Sequence, residues 1–428
     1  MIHVGISDEG MPDFPLKKLD NGYVVPDASV ADIHRAHRRQ TRNQVALAVE
    51  AEELGYDYVV HPEHHVSLQD ANSPNPILTQ TAVAAQTERI RLLQMANILS
   101  WHEPVRLAEQ IGMLDNISDG RVEVGVGRSS TPLESSVFGQ YWGGSAQNDV
   151  KDQQSFEEKF ELLLKAWTEE FITQHGQFHR VPPSYTEWEN NQEYHYLMDE
   201  ASESDPSEYM QVDAGTGKTT LKSVPVMPQP MQKPHPQLWK PAGSARSARQ
   251  IAAQGFNACC HCTTFSATKE LVEQYHDATE EAGWPDHRPE YDGEPLRKGW
   301  DGDRRRGIAA ILGVFNTDVA SEETFERWKR SQEFALNRKK GSKPPEEPRA
   351  VEIDIEEKLA EVDAPLVGDT EEIIDQLATF WETCGYEDFV VFVQTKITGM
   401  SHEENVEQLR AFAEDVVPHF KEQTQVYQ

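Results

Sequence analysis

Short runs of strand-forming apolar residues alternate along this chain with longer stretches whose apolar positions recur every three or four residues. The first pattern suits strands buried on both faces, the second amphipathic helices. Strands are predicted at 2–7, 58–60, 90–99, 122–126, 256–260, 307–315 and 388–393, with one more ending in Leu238-Trp239-Lys240. Helices are predicted at 41–54, 76–87, 105–117, 156–167, 247–254, 268–281, 370–383 and 403–420. Local punctuation agrees, since Gly55 and Gly120 stand where helices stop and Pro104 where one starts. Eight strands alternating with eight helices favour an α/β fold of the closed (β/α)8 TIM-barrel kind over an open doubly wound sheet. No G-x-G-x-x-G follows the first strand, so a dinucleotide-binding reading has no anchor. The whole chain, 1–428, reads as one barrel domain with two insertions, approximately 174–236 and 337–365. The first contains an acidic run at 199–205 and a proline-rich segment at 224–230, and its length suits a lid over a site.

In such a barrel the carboxyl ends of the strands converge on one mouth, where chemistry is done. Four predicted strand ends carry polar groups there: Glu63-His64-His65, Gln94-Met95-Ala96-Asn97, Gly127-Arg128-Ser129-Ser130 and Gly243-Ser244-Ala245-Arg246-Ser247. A histidine at the mouth serves as general acid or base near neutral pH, and a neighbouring carboxylate can orient its ring. The plainer alternative is a pair of loop histidines bonded to the backbone. Adjacent histidines point apart on extended chain and no second ligand cluster accompanies them, so no metal site is expected. Gly127 lets the backbone approach a ligand, and Arg128 offers a planar fork that suits phosphate. Ser244 and Ser247 open a helix whose first amides can cradle an anion, although helix caps use the same residues. Two anion candidates at one mouth point to a phosphorylated ligand.

Charge changes the picture of the surface. Against 72 acidic residues stand 40 basic ones, a formal net charge of −32. That field repels nucleic acid and anionic membranes, so neither is an expected partner. No D-x-[DN]-x-[DN]-G loop turns the acids into a calcium site. They are spread over helical faces, as in Glu50-Ala51-Glu52-Glu53, which suits a surface adapted to high salt and a halophilic source. The hydrophobic share of 38% and mean hydropathy of −0.65 reflect this surface, because apolar runs such as 308–315 remain to build a core. Met1-Ile2-His3-Val4-Gly5 lacks the features of a signal peptide, and no run reaches the ~18 apolar residues of a membrane span, so a soluble, cytoplasmic protein is expected.

Two lookalikes are set aside. Gly215-Thr216-Gly217-Lys218-Thr219-Thr220 resembles a nucleotide-binding loop, but Val212 stands where that pattern needs glycine and no apolar strand precedes it. Three of the four cysteines lie in Cys259-Cys260-His261-Cys262, which lacks the paired spacing of a structural zinc site. At a strand end they are expected to be buried and hydrophobe-like.

Several longer stretches join the strand ends in one pattern. They are Trp101-His102-Glu103-Pro104-Val105-Arg106-Leu107-Ala108-Glu109-Gln110, Leu114-Asp115-Asn116-Ile117-Ser118-Asp119-Gly120-Arg121, Gln232-Lys233-Pro234-His235-Pro236 and Val367-Gly368-Asp369-Thr370-Glu371. With Pro62-Glu63-His64-His65, Gly127-Arg128 and the closing helix, the chain resembles the bacterial luciferase-like family of flavin-dependent monooxygenases and oxidoreductases. The resemblance implies the same barrel. It also implies that His64 stands beside the flavin ring and handles protons of the oxygenated flavin. Met95 and Ala96 match a third-strand bulge, often a non-prolyl cis peptide, that supports the isoalloxazine. Arg128, Ser244 and Ser247 match the groups that grip the flavin phosphate. Two departures argue against light emission: Gly127 replaces the cysteine before the phosphate arginine, and Glu103 a histidine of true luciferases.

The activity so implied is oxidation of a small organic substrate by dioxygen and reduced FMN, delivered by a separate flavin reductase and acting through a C4a-peroxyflavin. The 174–236 insertion would exclude water as a lid. A homodimer is implied as well. One alternative replaces FMN with the deazaflavin coenzyme F420, giving hydride transfer without oxygen. Another is a non-catalytic flavin-binding partner subunit, against which His64 and Arg128 weigh.

Overall fold

The structure, a computed structural model, describes residues 2–66, 71–128, 149–183, 218–283, 307–340, 354–384 and 389–423, with short pieces at 134, 137–138, 187–188, 210–212 and 215–216. Its main sheet is built from β1 (Ile2–Ser7), β2 (Tyr58–His61), β3 (Arg91–Ile98), β4 (Val122–Gly127), β5 (Gln237–Pro241), β6 (Asn257–His261), β7 (Ile308–Asn316) and β8 (Phe389–Gln394). These strands are hydrogen-bonded in the order β6-β5-β4-β3-β2-β1-β8-β7, and β7 returns to pair with β6. The sheet is therefore a closed parallel barrel, and all eight strands stand where the apolar runs predict them.

Helices separate the strands along the chain: α1 (Val30–Glu53), α2 (Pro76–Ala84), α3 (Pro104–Ile117), α4 (Asp149–Thr168), α5 (Ala245–Ala253) and α6 (Phe265–Glu281). After β7 come α7 (Glu322–Lys340), α8 (Ile355–Ala360) and α9 (Thr370–Cys384). After β8 come α10 (His402–Ala411), a π turn (Phe412–Val416) and α11 (Val417–Gln423).

Alternate strand residues point into the barrel. Tyr58, Val60, Leu93, Trp239, Cys259, Ala309, Ile311, Val390 and Phe392 form its buried core, with Met95 packed against them. Tyr58 meets Phe392 edge-on at 5.6 Å between ring centroids. The barrel is a filled core rather than a pore.

Two compact units divide the described chain. The first, Met1–Asn97 with Arg121–Val126 and Gln237–Gln428, contains the barrel strands apart from the boundary residues Ile98 and Gly127. The second, Ile98–Gly120 with Gly127–Pro236, contains α3, α4 and the first insertion. Within it Trp167 of α4 donates its indole N–H to Ala108 O of α3 at 3.2 Å.

Three features differ from the sequence reading. α1 begins at Val30 rather than 41, because Ser29 accepts the Asp32 N–H and caps a first half carrying only Ile33 and Ala36 as buried apolar residues. The first insertion contains β structure: Gln174–His175 pairs with Arg180–Val181, and Thr219–Leu221 lies between Met210–Val212 and Glu187–Trp188. A nucleotide-binding loop continues into a helix, whereas Thr219 here enters an antiparallel strand. The acidic run 199–205 and Gly217 lie outside the described residues. Third, the second insertion was expected from 337, yet α7 is helical through Lys340 and buries Trp328 against Phe315. Residues 341–353 lie outside the described part.

Candidate active site

Four residues at the carboxyl ends of β2 and β5 and near that of β3 were singled out from sequence within the barrel unit: His64, Met95, Ala96 and Ser244, with Ser247 one helical turn further on. The positions of these strand ends follow from the parallel closure.

β2 ends in His61, fully buried, and the chain continues through Pro62 and Glu63 to His64. His64 is half-buried, and its backbone N–H donates to Ser73 O at 3.1 Å. The buried Glu63 carboxylate lies 3.1 Å from Nε2 of His65. The acid expected to orient a histidine therefore does so for His65. Val66, next in line, has φ +60°, a left-handed conformation that a β-branched residue rarely adopts.

On β3 the Met95–Ala96 peptide is cis and not prolyl, as the resemblance implied for this position. Both flanking side chains are tied down. Gln94 donates to the Gln80 side chain on α2, and Gln80 Nε2 reaches Leu93 O at 2.9 Å. Asn97 Nδ2 donates to Gln94 Oε1 and to Gly125 O on β4, each at 3.3 Å. Gly125 is required here, since a Cβ at that position would lie 2.2 Å from Gln94 O. His61 Nδ1 joins the same network 3.4 Å from Gln80 Nε2, and burial lowers its pKa.

Inside the barrel, Glu123 is buried with its carboxylate 2.6 Å from the Trp239 indole nitrogen. The Tyr58 hydroxyl and Arg91 Nη1 each approach it at 3.3 Å. Burial and the Glu123 charge push the Tyr58 hydroxyl well above the ordinary tyrosine pKa. Sequence alternation places these side chains inward, but their meeting is a tertiary fact.

Ser244 is the N-cap of α5. Its Oγ accepts the Ser247 N–H at 3.2 Å, and Ser247 Oγ accepts the Ser244 N–H at 3.0 Å and the Gly243 N–H at 3.1 Å. Ser244 is exposed and Ser247 half-buried, and this reciprocal cap fixes the first turn of α5. The capping alternative is thus realised.

Arg128 follows β4 in the chain and belongs to the second unit. Its Nη1 lies 3.4 Å from Asp152 Oδ2 on α4. Ser100 Oγ is 3.1 Å from Arg128 O and 3.3 Å from Asp152 Oδ1. Asp152 and Ser100 escaped the sequence reading, since neither belongs to a strand-end motif. Ser129 and Ser130 lie outside the described residues.

The cysteines are all buried and reduced. Burial raises Cys262 to about 11 and Cys384 to about 12, and Cys259 and Cys260 higher still, so the thiols behave as apolar side chains. Among the described residues, no cluster of His, Cys, Asp and Glu is arranged to hold a metal ion. Among them too, no helix is long and apolar enough to cross a membrane.

A closed parallel barrel with polar groups at its strand ends is an architecture on which many enzymes are built. Residues 21–193 match the family model for luciferase-like monooxygenases. The chain is 30% identical over 226 residues to the uncharacterized protein y4wF of Sinorhizobium fredii, covering 53% of this chain and 52% of that protein. It is 30% identical over 164 residues to 3,6-diketocamphane 1,6-monooxygenase of Pseudomonas putida, covering 36% and 43%. The chain thus spans about half, or less, of the length of these curated relatives.

Solved structures share the fold across nearly the whole chain. Monooxygenase RslO1 from Streptomyces bottropensis superposes with a TM-score of 0.65 at 24% identity, covering 98% of this chain and 99% of that one. The oxygenating constituent of 3,6-diketocamphane monooxygenase from Pseudomonas putida, a type II Baeyer-Villiger monooxygenase in complex with FMN, gives 0.62 at 19% identity, covering 97% and 98%. An F420-dependent secondary alcohol dehydrogenase gives 0.58 at 14% identity, covering 89% and 95%.

Proposed function

We propose that this protein is the oxygenating component of a two-component flavin-dependent monooxygenase, which takes reduced FMN from a separate reductase and oxidises a small organic substrate with dioxygen. The observation that carries this reading is the clamped Met95–Ala96 segment at the strand end that the resemblance assigns to ring support. The donor set also fits a phosphorylated flavin. Arg128, Ser244, Ser247 and the first amides of α5 are anion ligands by type, and Met95 offers apolar surface on β3. Bound flavin would supply the redox chemistry. The chain's own tasks are to grip the phosphate, support the ring, keep water out, and hold or move a proton at the His64 imidazole. The FMN-bound relative, described as an oxygenating constituent, supports the same division of labour.

Titration of the purified protein with FMN and with F420 tests the reading, together with oxygen uptake when NADH and a flavin reductase are supplied. The expected result is FMN binding and reductase-dependent turnover with organic carbonyl or alkane substrates. Selective F420 binding would move the assignment to hydride transfer. FMN binding without turnover would mark a non-catalytic partner subunit.

A further inference from the structure

Resting on the reading of Arg128 as a phosphate ligand, we infer that Asp152 and Ser100 are positioning residues that hold the Arg128 guanidinium for the cofactor phosphate. An arginine side chain carries about 2 kcal/mol of rotamer entropy, and holding it in place before the ligand arrives removes part of that loss from binding. Arg128 has a side chain 37% exposed, while Asp152 beside it is only 5% exposed. The mobile partner is thus tethered to a fixed one. Asp152 Oδ2 takes Arg128 Nη1 at 3.4 Å, and Ser100 Oγ, lying 3.3 Å from the other carboxylate oxygen, also reaches the Arg128 main-chain O at 3.1 Å. One residue therefore aims the guanidinium, and the second ties both that residue and the arginine backbone to the turn after β3.

The turn is held in its own right. Lys159 is buried, and its Nζ donates to Leu99 O at 2.9 Å, Ser100 O at 3.1 Å and His102 O at 3.0 Å. Asp152 and Lys159 are two helical turns apart on α4 and share one face, so a single rigid element sets both the carboxylate and the loop that carries Ser100. The charge of Lys159 also offsets that of Asp152, which would otherwise repel a phosphate.

Comparison of FMN with riboflavin, which has the same ring and no phosphate, tests the inference by fluorescence titration of the full-length protein. Asp152→Asn keeps the shape and removes the charge. It is expected to weaken FMN about tenfold with riboflavin unchanged, the scale of one charge-assisted hydrogen bond. Ser100→Ala should give a smaller loss of the same selectivity. Arg128→Ala should weaken FMN more than either, and adding Asp152→Asn to it should cost nothing further, because the two act through one interaction. Unchanged or tighter FMN binding by Asp152→Asn, with Arg128→Ala still selective for FMN, overturns the positioning role alone. If Arg128→Ala weakens FMN and riboflavin equally, the phosphate assignment itself fails and the positioning role falls with it. A global folding defect would lower both affinities together and so cannot imitate the selective loss.

Discussion

His64 and Lys159 are two titratable residues in different settings. His64 is half-buried and follows the end of β2. His64→Ala is expected to lower substrate oxidation by about 10²–10⁴-fold, the usual worth of a positioned acid–base group, while FMN affinity stays within about threefold. Steady-state turnover and flavin titration on one preparation separate the two effects. Lys159 is structural. Lys159→Met removes a donor from three carbonyls and should cost about 3 kcal/mol in denaturant unfolding. Burial lowers its pKa to about 8, against about 10.4 in the unfolded chain. Between those values the unfolded state holds the extra proton, so stability rises with pH there. The gap between parent and Lys159→Met should therefore widen from pH 8 to pH 10.5. His64, Arg128 and Ser244 were legible in sequence because each ends an apolar strand run. Asp152 and Lys159 were not, since a polar residue on a helix reads as solvated unless its neighbours are known.

At the scale of elements, β3 and β4 show why a strand is more than its pattern. Their apolar runs predicted both, yet the approach of Gly125 to Gln94 O is invisible in either run alone. Gly125→Ala would force a methyl into a backbone oxygen and should destabilise the protein by about 1–3 kcal/mol, read as a lower denaturant midpoint. The same crowding should loosen the Asn97 contact to Gly125 O and weaken flavin binding. Helices with dense apolar stripes, such as α9 with buried Ile373, Leu377 and Phe380, were readable to within a residue or two. The start of α1 was missed because its first turns are largely charged and held by a cap. α7 was missed because it is charged apart from a few aromatic anchors, including Trp328.

At the scale of the molecule, the net charge of −32 is the dominant property. Salt screens the repulsion among these carboxylates, so dialysis from molar salt to about 0.1 M should lower the melting midpoint by on the order of 10 °C. Calorimetry at several salt concentrations checks this, and an unchanged midpoint would remove the argument for a salt-adapted surface. The sequence by itself determined the barrel, because strand periodicity and chain order are local properties and eight such strands close in few ways. It also determined which strand ends bear polar groups. Tertiary structure alone decided which polar side chains meet: Glu123 with Trp239 and Arg91, and Asp152 with Arg128. Alternation sets the face on which a side chain emerges, but its partner comes from a strand or helix tens of residues away, and only closure and packing bring the two within reach.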